Sequence, residues 1–266
     1  MPTKAKLGQN FLRDPQAVQR IIAALGPLGS RTVVEIGPGK GAITEGLAAQ
    51  AKHLITIELD RELAWTLQER VSPEKGFHNV AVCRQDVLDF DFAAAARDAG
   101  ESLLVVGNLP YYITSPILLR LAASAASIDR AVVMVQREVA DRVTARPESR
   151  DYGLLSVTLQ LYGRTEPLFT LPPEAFAPPP DVHSTVFRWI FAPRFAELNV
   201  EEAPFIAFLK QCFAQKRKTL SNNLRAAGQS ADRAADAFSD TGISPQIRAE
   251  ALTVEELAAI WRTLSR

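Results

Sequence analysis

Through the first two-thirds of this chain, short β-rich runs alternate with helical patterns, and that alternation leaves few folds open. Residues 32–36, 54–57, 80–83, 103–106 and 131–135 are compact runs rich in apolar, β-branched side chains. Helical apolar patterns occupy residues 17–25, 43–51, 61–71 and 116–123. Such alternation predicts a parallel sheet covered by helices. Two further β-rich runs, 156–161 and 185–191, flank a proline-rich stretch from Pro172 to Pro180 and predict a hairpin-like pair at the end of the sheet. After a polar connector near residues 192–203 the pattern turns helical. Phe205, Phe208, Leu209, Cys212, Phe213, Leu220 and Leu224 fall mostly at three- and four-residue steps. Ser244-Pro245 reads as an N-cap with proline at N1, and Thr253 with Glu256 as a capping box. Two domains are expected, residues 1–195 and a helical one at 200–266.

Composition excludes several functions. The 266 residues hold 30 Lys+Arg against 30 Asp+Glu, so a nucleic-acid surface would have to concentrate its charge locally. No apolar run approaches the length of a membrane span, and no apolar leader follows Met1, so neither a membrane protein nor a secreted one is expected. Cys83 and Cys212 are far apart and His53, His78 and His183 are scattered, which argues against a metal site and for a reducing compartment.

Four sites carry chemistry. Glu35-Ile36-Gly37-Pro38-Gly39-Lys40-Gly41-Ala42 follows the first strand, where glycines let a backbone approach a ligand at a helix N-terminus. Glu58 ends the second strand and could accept both hydroxyls of a ribose. Gly37, Gly39, Ala42 and Glu58 also fit a dinucleotide fingerprint, so this loop alone leaves NAD and another adenosine-containing cofactor both open. Asp86 follows the third strand, either to bind an adenine amine or simply to cap a turn. Asn108-Leu109-Pro110-Tyr111 closes the apolar run that begins at Leu103. The Asn108 side-chain oxygen and the Leu109 carbonyl could each accept one N–H of a planar exocyclic amine, and Tyr111 could stack on its ring. The amine lone pair would then be free to meet an electrophilic carbon.

Gly8-Gln9-Asn10-Phe11-Leu12, the glycine loop, Glu58, Asp86 and Asn108–Tyr111 occur in an order that resembles the rRNA adenine N6-dimethyltransferase family. The likeness continues through Phe176, Pro178, Pro180, Val182 and Ser184. It ends in Gln215-Lys216-Arg217-Lys218-Thr219-Leu220, which is similar to the small-subunit branch more than to the large-subunit resistance enzymes. The resemblance implies a class I, Rossmann-like seven-stranded methyltransferase domain with a small all-α C-terminal domain. It implies S-adenosylmethionine as cofactor, held by Asn10, Leu12, Gly37, Glu58, Asp86 and Asn108. Asn108 and Leu109 would face the target amine, and Tyr111 and Phe176 would sandwich the flipped adenine, the other reading of Phe176 being a loop anchor packed on the core. The substrate implied is two adjacent adenosines in a hairpin loop near the 3′ end of small-subunit (16S) rRNA, in the 30S particle or its precursor. A monomeric cytoplasmic enzyme is expected.

The basic segment has its own reading. No acidic residue lies in residues 203–231, and Lys210, Arg217, Lys218 and Arg225 would share a face if the stretch were one helix. With Lys216 they form a candidate phosphate-binding stripe, or only a solvated face. Arg137, Arg142, Arg146 and Arg150 are a second candidate, and Lys4, Lys6 and Arg13 a third. Rival readings are a large-subunit rRNA or DNA adenine methyltransferase, an NAD-dependent dehydrogenase, and an assembly factor with little catalysis.

Overall fold

A computed structural model describes residues 10–265. It contains, in chain order, β1 (Phe11–Leu12), α1 (Pro15–Ala24), β2 (Thr32–Ile36), α2 (Thr44–Ala48), β3 (His53–Glu58), α3 (Arg61–Arg70), β4 (Val80–Arg84), α4 (Phe92–Ala99), β5 (Leu103–Asn108), α5 (Thr114–Ala123), β6 (Ile128–Gln136) and α6 (Arg137–Val143). Then follow α7 (Leu154–Tyr162), β7 (Gly163–Leu171), β8 (Phe176–Ala177), β9 (Ser184–Phe191), α8 (Glu202–Cys212), α9 (Leu220–Ala226), α10 (Ala231–Thr241) and α11 (Val254–Leu264).

Seven strands form one sheet in the order β4-β3-β2-β5-β6-β9-β7. The first five are parallel neighbours, and β9 runs antiparallel to β6. β2 and β5 are buried along nearly their whole length, the signature of strands covered on both faces. From β2 the chain builds outward through β3 to β4, then returns to the other side of β2 with β5. That reversal opens a crevice beyond the carboxyl ends of β2 and β5, where open α/β sheets bind ligands. A Cβ on Gly107 would lie 2.6 Å from the Ile36 carbonyl oxygen, so close strand packing at this crevice demands glycine.

Local signals explain the helix starts. Asp14 caps α1 through the amides of Gln16 and Ala17, with Pro15 at the first position. Asp60 caps α3 through the amides of Glu62 and Leu63. The expected capping box of Thr253 and Glu256 opens α11. Ser244-Pro245 instead forms a turn: the Ser244 hydroxyl and carbonyl accept the amides of Gln246 and Ile247.

The chain falls into two compact units, one of residues up to Ala140 with Thr165–Phe191, the other of Asp141–Arg164 with the residues from Ala192 onward. The expected division at residues 195–200 thus gives way to one in which a segment from mid-chain packs with the C-terminal helices. Within that second unit the Tyr152 hydroxyl donates to the Leu252 carbonyl at 3.0 Å, fully buried. Phe205, Phe208, Leu209, Cys212, Leu220 and Leu224 form its core, as their spacing predicts, and the Phe208 ring lies 5.1 Å from that of Trp261. Each such buried side chain contributes roughly 1.5–3 kcal/mol.

Residues 156–161, expected as a strand, lie in helix α7. Their Ser-Val-Thr-Leu-Gln-Leu alternation imitates a half-buried strand, but α7 is buried nearly all round, so no polar stripe reveals its helical period. The Ser156 hydroxyl donates to the Arg142 carbonyl and accepts the Gly153 amide. The expected pairing of 156–161 with 185–191 is therefore not formed; the neighbour of β9 is instead β7, which follows α7: Thr170 and Thr185 hydroxyls meet at 3.0 Å, and Arg188 pairs with Glu166. Among the described residues no helix is long and apolar enough to cross a membrane, and no group of three His, Cys, Asp or Glu side chains could hold a metal ion.

Candidate active site

A cleft of about 870 Å³, open to solvent, occupies the crevice between β2 and β5. Asn10, Leu12, Gly37, Glu58, Asn108, Leu109 and Tyr111 all line it, so most residues singled out in the sequence converge there. Gly8 and Gln9 lie outside the described residues, as do Lys4 and Lys6.

The floor is the glycine loop after β2. Gly39 has a φ of +55°, and a Cβ there would lie 2.9 Å from the Phe11 ring, so both conformation and space require glycine. Glu58, 7% exposed, shapes the loop: its Oε2 accepts the Gly39 amide at 3.1 Å and its Oε1 the Asp60 amide at 2.9 Å. Burial raises its pKa above the ordinary carboxylate value, against the lowering effect of those two amides. A carboxylate offers about four acceptor sites, so two remain for ribose hydroxyls after the amides are served. A nucleoside with a cationic tail therefore fits this cleft: Glu58 can hold the ribose, the glycine loop permits close approach, and two buried acidic groups line it beside the half-buried Asp60.

The second acidic group, Glu35, is not among the site residues expected from the sequence. It lies within an apolar strand, is 2% exposed, and accepts the Thr44 hydroxyl at 2.7 Å. Burial pushes its pKa up to about 7, opposed by that hydrogen bond and reinforced by the charge of Glu58. The signal available was one carboxylate inside an otherwise apolar run.

Asn108 is fixed from the other side. Its Nδ2 donates to the Asn10 carbonyl at 2.9 Å, which leaves Oδ1 as the acceptor. The Leu109 amide donates to the Met134 carbonyl at 3.0 Å, and Pro110 is extended. The Tyr111 hydroxyl lies 2.7 Å from that of the fully buried Ser184. Burial raises the Tyr111 pKa further, so the ring stays a neutral phenol. The cleft also takes in Lys40, Leu59, Asp60, Leu63 and Tyr112, to which the sequence motifs assign no role.

Two expected site residues do not line the cleft. Asp86 caps a short 3₁₀ turn, accepting the Leu88 amide at 2.9 Å, as the plainer of its two readings has it. Its charge still reaches Tyr112, whose pKa is raised by burial and then by Asp86 and Glu58. Phe176, expected against the target base, is 3% exposed and packed in the hydrophobic core with Leu12, Leu171 and Val186. The cause is strand pairing: Leu12 opposes Phe176 and Phe11 opposes Ala177 in a small antiparallel ladder of β1 and β8.

The basic segment in the second unit is not one stripe. Helix α8 ends at Cys212 and α9 starts at Leu220, so Lys216, Arg217 and Lys218 lie on an exposed loop between them. Asn223 holds the break: its Nδ2 donates to the carbonyls of Cys212 (2.7 Å) and Gln215 (3.3 Å). Lys216 Nζ donates to the Arg150 carbonyl at 3.2 Å, which places the loop beside the second group of arginines. Arg225 is exposed on α9 and donates to the Asn222 side chain.

Comparison with known proteins agrees with this geometry. A family model described as "Ribosomal RNA adenine dimethylase" matches residues 2–265. A protein of Acidobacterium capsulatum named "Ribosomal RNA small subunit methyltransferase A" is 60% identical over 261 residues, 98% of this chain and 91% of that protein. Its namesake in Koribacter versatilis is 48% identical over 274 residues, 99% of this chain and 95% of that protein. Among solved structures, a dimethyladenosine transferase from Plasmodium falciparum superposes with a TM-score of 0.81 at 23% identity, over 94% of this chain and 95% of that one, a likeness of fold. The 23S rRNA methyltransferase ErmE gives 0.72 at 25% identity, over 97% of this chain and all (100%) of that one.

Proposed function

This chain belongs to the ribosomal RNA adenine dimethylase family, S-adenosylmethionine-dependent enzymes, and from that premise we propose that it dimethylates N6 of two adjacent adenosines in a hairpin loop near the 3′ end of small-subunit rRNA. The observation that carries the chemistry is the orientation of Asn108. Because its Nδ2 is held by the Asn10 carbonyl, Oδ1 remains as the acceptor of a side chain that lines the cleft with Leu109. The dehydrogenase reading leaves that arrangement without work to do.

S-adenosylmethionine, when bound, supplies a methyl group made electrophilic by its sulfonium. Glu58 would hold its ribose, the loop at Gly37 would border it, and Asn10 and Leu12 would cover it. Asp86 is assigned to the adenine end, next to Tyr112. Asn108 Oδ1 and the Leu109 carbonyl accept the two N–H groups of the target amine, which turns its lone pair away from both. As positive charge develops on nitrogen, the two carbonyl dipoles stabilise it. The attacking group is neutral, so positioning carries the rate and no strong base is needed. Tyr111, anchored through Ser184, offers its ring to the target base, which must leave its stack to enter. A hairpin loop lowers the cost of that step.

Small-subunit rRNA is favoured over the large subunit because the relatives at 60% and 48% identity carry the small-subunit name, while the 23S enzyme stands at 25%. Lys216, Arg217, Lys218 and Arg225 are assigned to rRNA phosphates, in the 30S particle or its precursor. The enzyme is read as a cytoplasmic monomer. The test is to incubate the protein with labelled S-adenosylmethionine and immature small subunits, then large subunits, and map the label. Two adjacent dimethyladenosines in small-subunit rRNA are expected; label confined to large-subunit rRNA would overturn the assignment.

A further inference from the structure

The cleft does not account for the most exposed aromatic side chain among the described residues. Trp65, on α3, is 68% exposed. Its neighbours Ala64 and Leu67 face the core, so the indole sits on the side of the helix where a polar residue would serve solubility better. Arg61 lies one turn before it, at a spacing that shares a helix face. Arg84 ends β4, the edge strand of the sheet. Arg61, Trp65, Gln68, Val82 and Arg84 line one open groove of about 1300 Å³. Two guanidiniums there face one carboxylate, Glu62. Neither Arg61 nor Arg84 makes an ion pair among the described residues, so both charges are available.

The groove adjoins the active-site cleft. Glu58 lines the cleft, and Arg84 is its register partner across β3 and β4. Asp60 lines the cleft, and Arg61 follows it in the chain. A polyanion that delivers one base into the cleft thus passes along the same edge of the sheet. We propose that Trp65, Arg61 and Arg84 form a stacking site for an unpaired nucleotide of the substrate rRNA, distinct from the nucleotide that is methylated. The indole stacks on the base and the guanidiniums meet the flanking phosphates. This rests on the rRNA reading above, which supplies the polyanion; unpaired arginines beside an aromatic ring match RNA better than a peptide strand.

The test measures binding of naked small-subunit rRNA and of intact small subunits to the full chain, at several salt concentrations, for wild type, Trp65→Ala, Trp65→Phe and an Arg61→Gln/Arg84→Gln double variant. Trp65→Ala is expected to weaken both interactions ~5- to ~150-fold with little change in salt slope. Trp65→Phe should recover most of the loss. The double arginine variant should flatten the slope by up to ~0.7–0.9 log units for each phosphate no longer neutralised. Cofactor affinity and melting temperature should be unchanged in all three. Wild-type affinity in Trp65→Ala would overturn the proposal. So would weakened binding to subunits with normal binding to naked rRNA, which would mark a protein partner. The wild-type methylation map is read separately, so a failed rRNA assignment and a failed Trp65 site give different results.

Discussion

Replacing Glu35 by glutamine gives a test in which sign and size both follow from the structure. The carboxyl is fully buried and its pKa is raised from 4.5 to about 7, while in the unfolded chain it titrates at the ordinary value. Between those two pH values the folded protein keeps a proton that the unfolded chain has released. Stability contributed by this group is therefore complete below pH 4.5 and falls as pH rises to about 7, with the full penalty present above. At about 1.36 kcal/mol per pH unit the interval amounts to roughly 3 kcal/mol. Glutamine has the same shape, its oxygen can still accept the Thr44 hydroxyl, and it does not ionise. Ligand-free Glu35→Gln should match wild type near pH 5 and exceed it by up to about 3 kcal/mol at pH 8. Urea denaturation of both proteins from pH 5 to 8 measures the difference, and the carboxyl ¹³C shift of Glu35 gives its titration directly. A stability difference that is constant across this range, or a Glu35 midpoint near the ordinary carboxylate value, would refute the reasoning.

Three further outcomes are expected. Asn108→Ala removes an acceptor most useful in the transition state and should slow methyl transfer ~10²-fold or more, read as single-turnover rate with saturating cofactor; near-normal turnover would remove Asn108 from the chemistry. Glu58→Ala takes away the acceptor proposed for the ribose and strands the Gly39 and Asp60 amides, so calorimetry should show cofactor binding weaker by ~1.5–3 kcal/mol, with RNA binding in its absence little changed. Replacing Lys216, Arg217 and Lys218 together with glutamine should weaken subunit binding and lower its salt dependence by up to ~0.7–0.9 log units per phosphate released; an unchanged slope in the folded variant would shift docking to Arg137–Arg150.

The parts of the site legible in the sequence are those set by local order. An apolar run that ends in Asn-Leu-Pro-Tyr places Asn108 at a strand end whatever surrounds it, and a glycine loop after a strand places Gly37 by the same logic. Phe176 lies in the core instead of the cleft because its environment depends on Leu12, far away in the chain, which no local pattern announces. The basic stripe dissolves for a similar reason. No glycine or proline interrupts residues 213–219; the break is made by Thr219 capping α9 and by Asn223 reaching back to the end of α8. Residues 141–164 join the second unit through interactions such as Tyr152 with Leu252, invisible to composition.

The pairing of β1 with β8 also bears on how the protein is made. Phe11 and Leu12 emerge early in synthesis, yet their partners Ala177 and Phe176 come only after most of the chain has been built. Contacts so distant in sequence close late, because the entropy of a long loop must be overcome before they form. β2, β3, β4 and β5 can assemble from roughly the first hundred residues, with the crevice already shaped, while Phe11 and Leu12 still lack the ladder that holds them beside it. A ribosome-bound fragment ending before residue 176 would carry the bed of the cleft without its secured cover. Completion of the cleft's rim therefore waits on residues 176–177, long after the strands that shape its floor have been made.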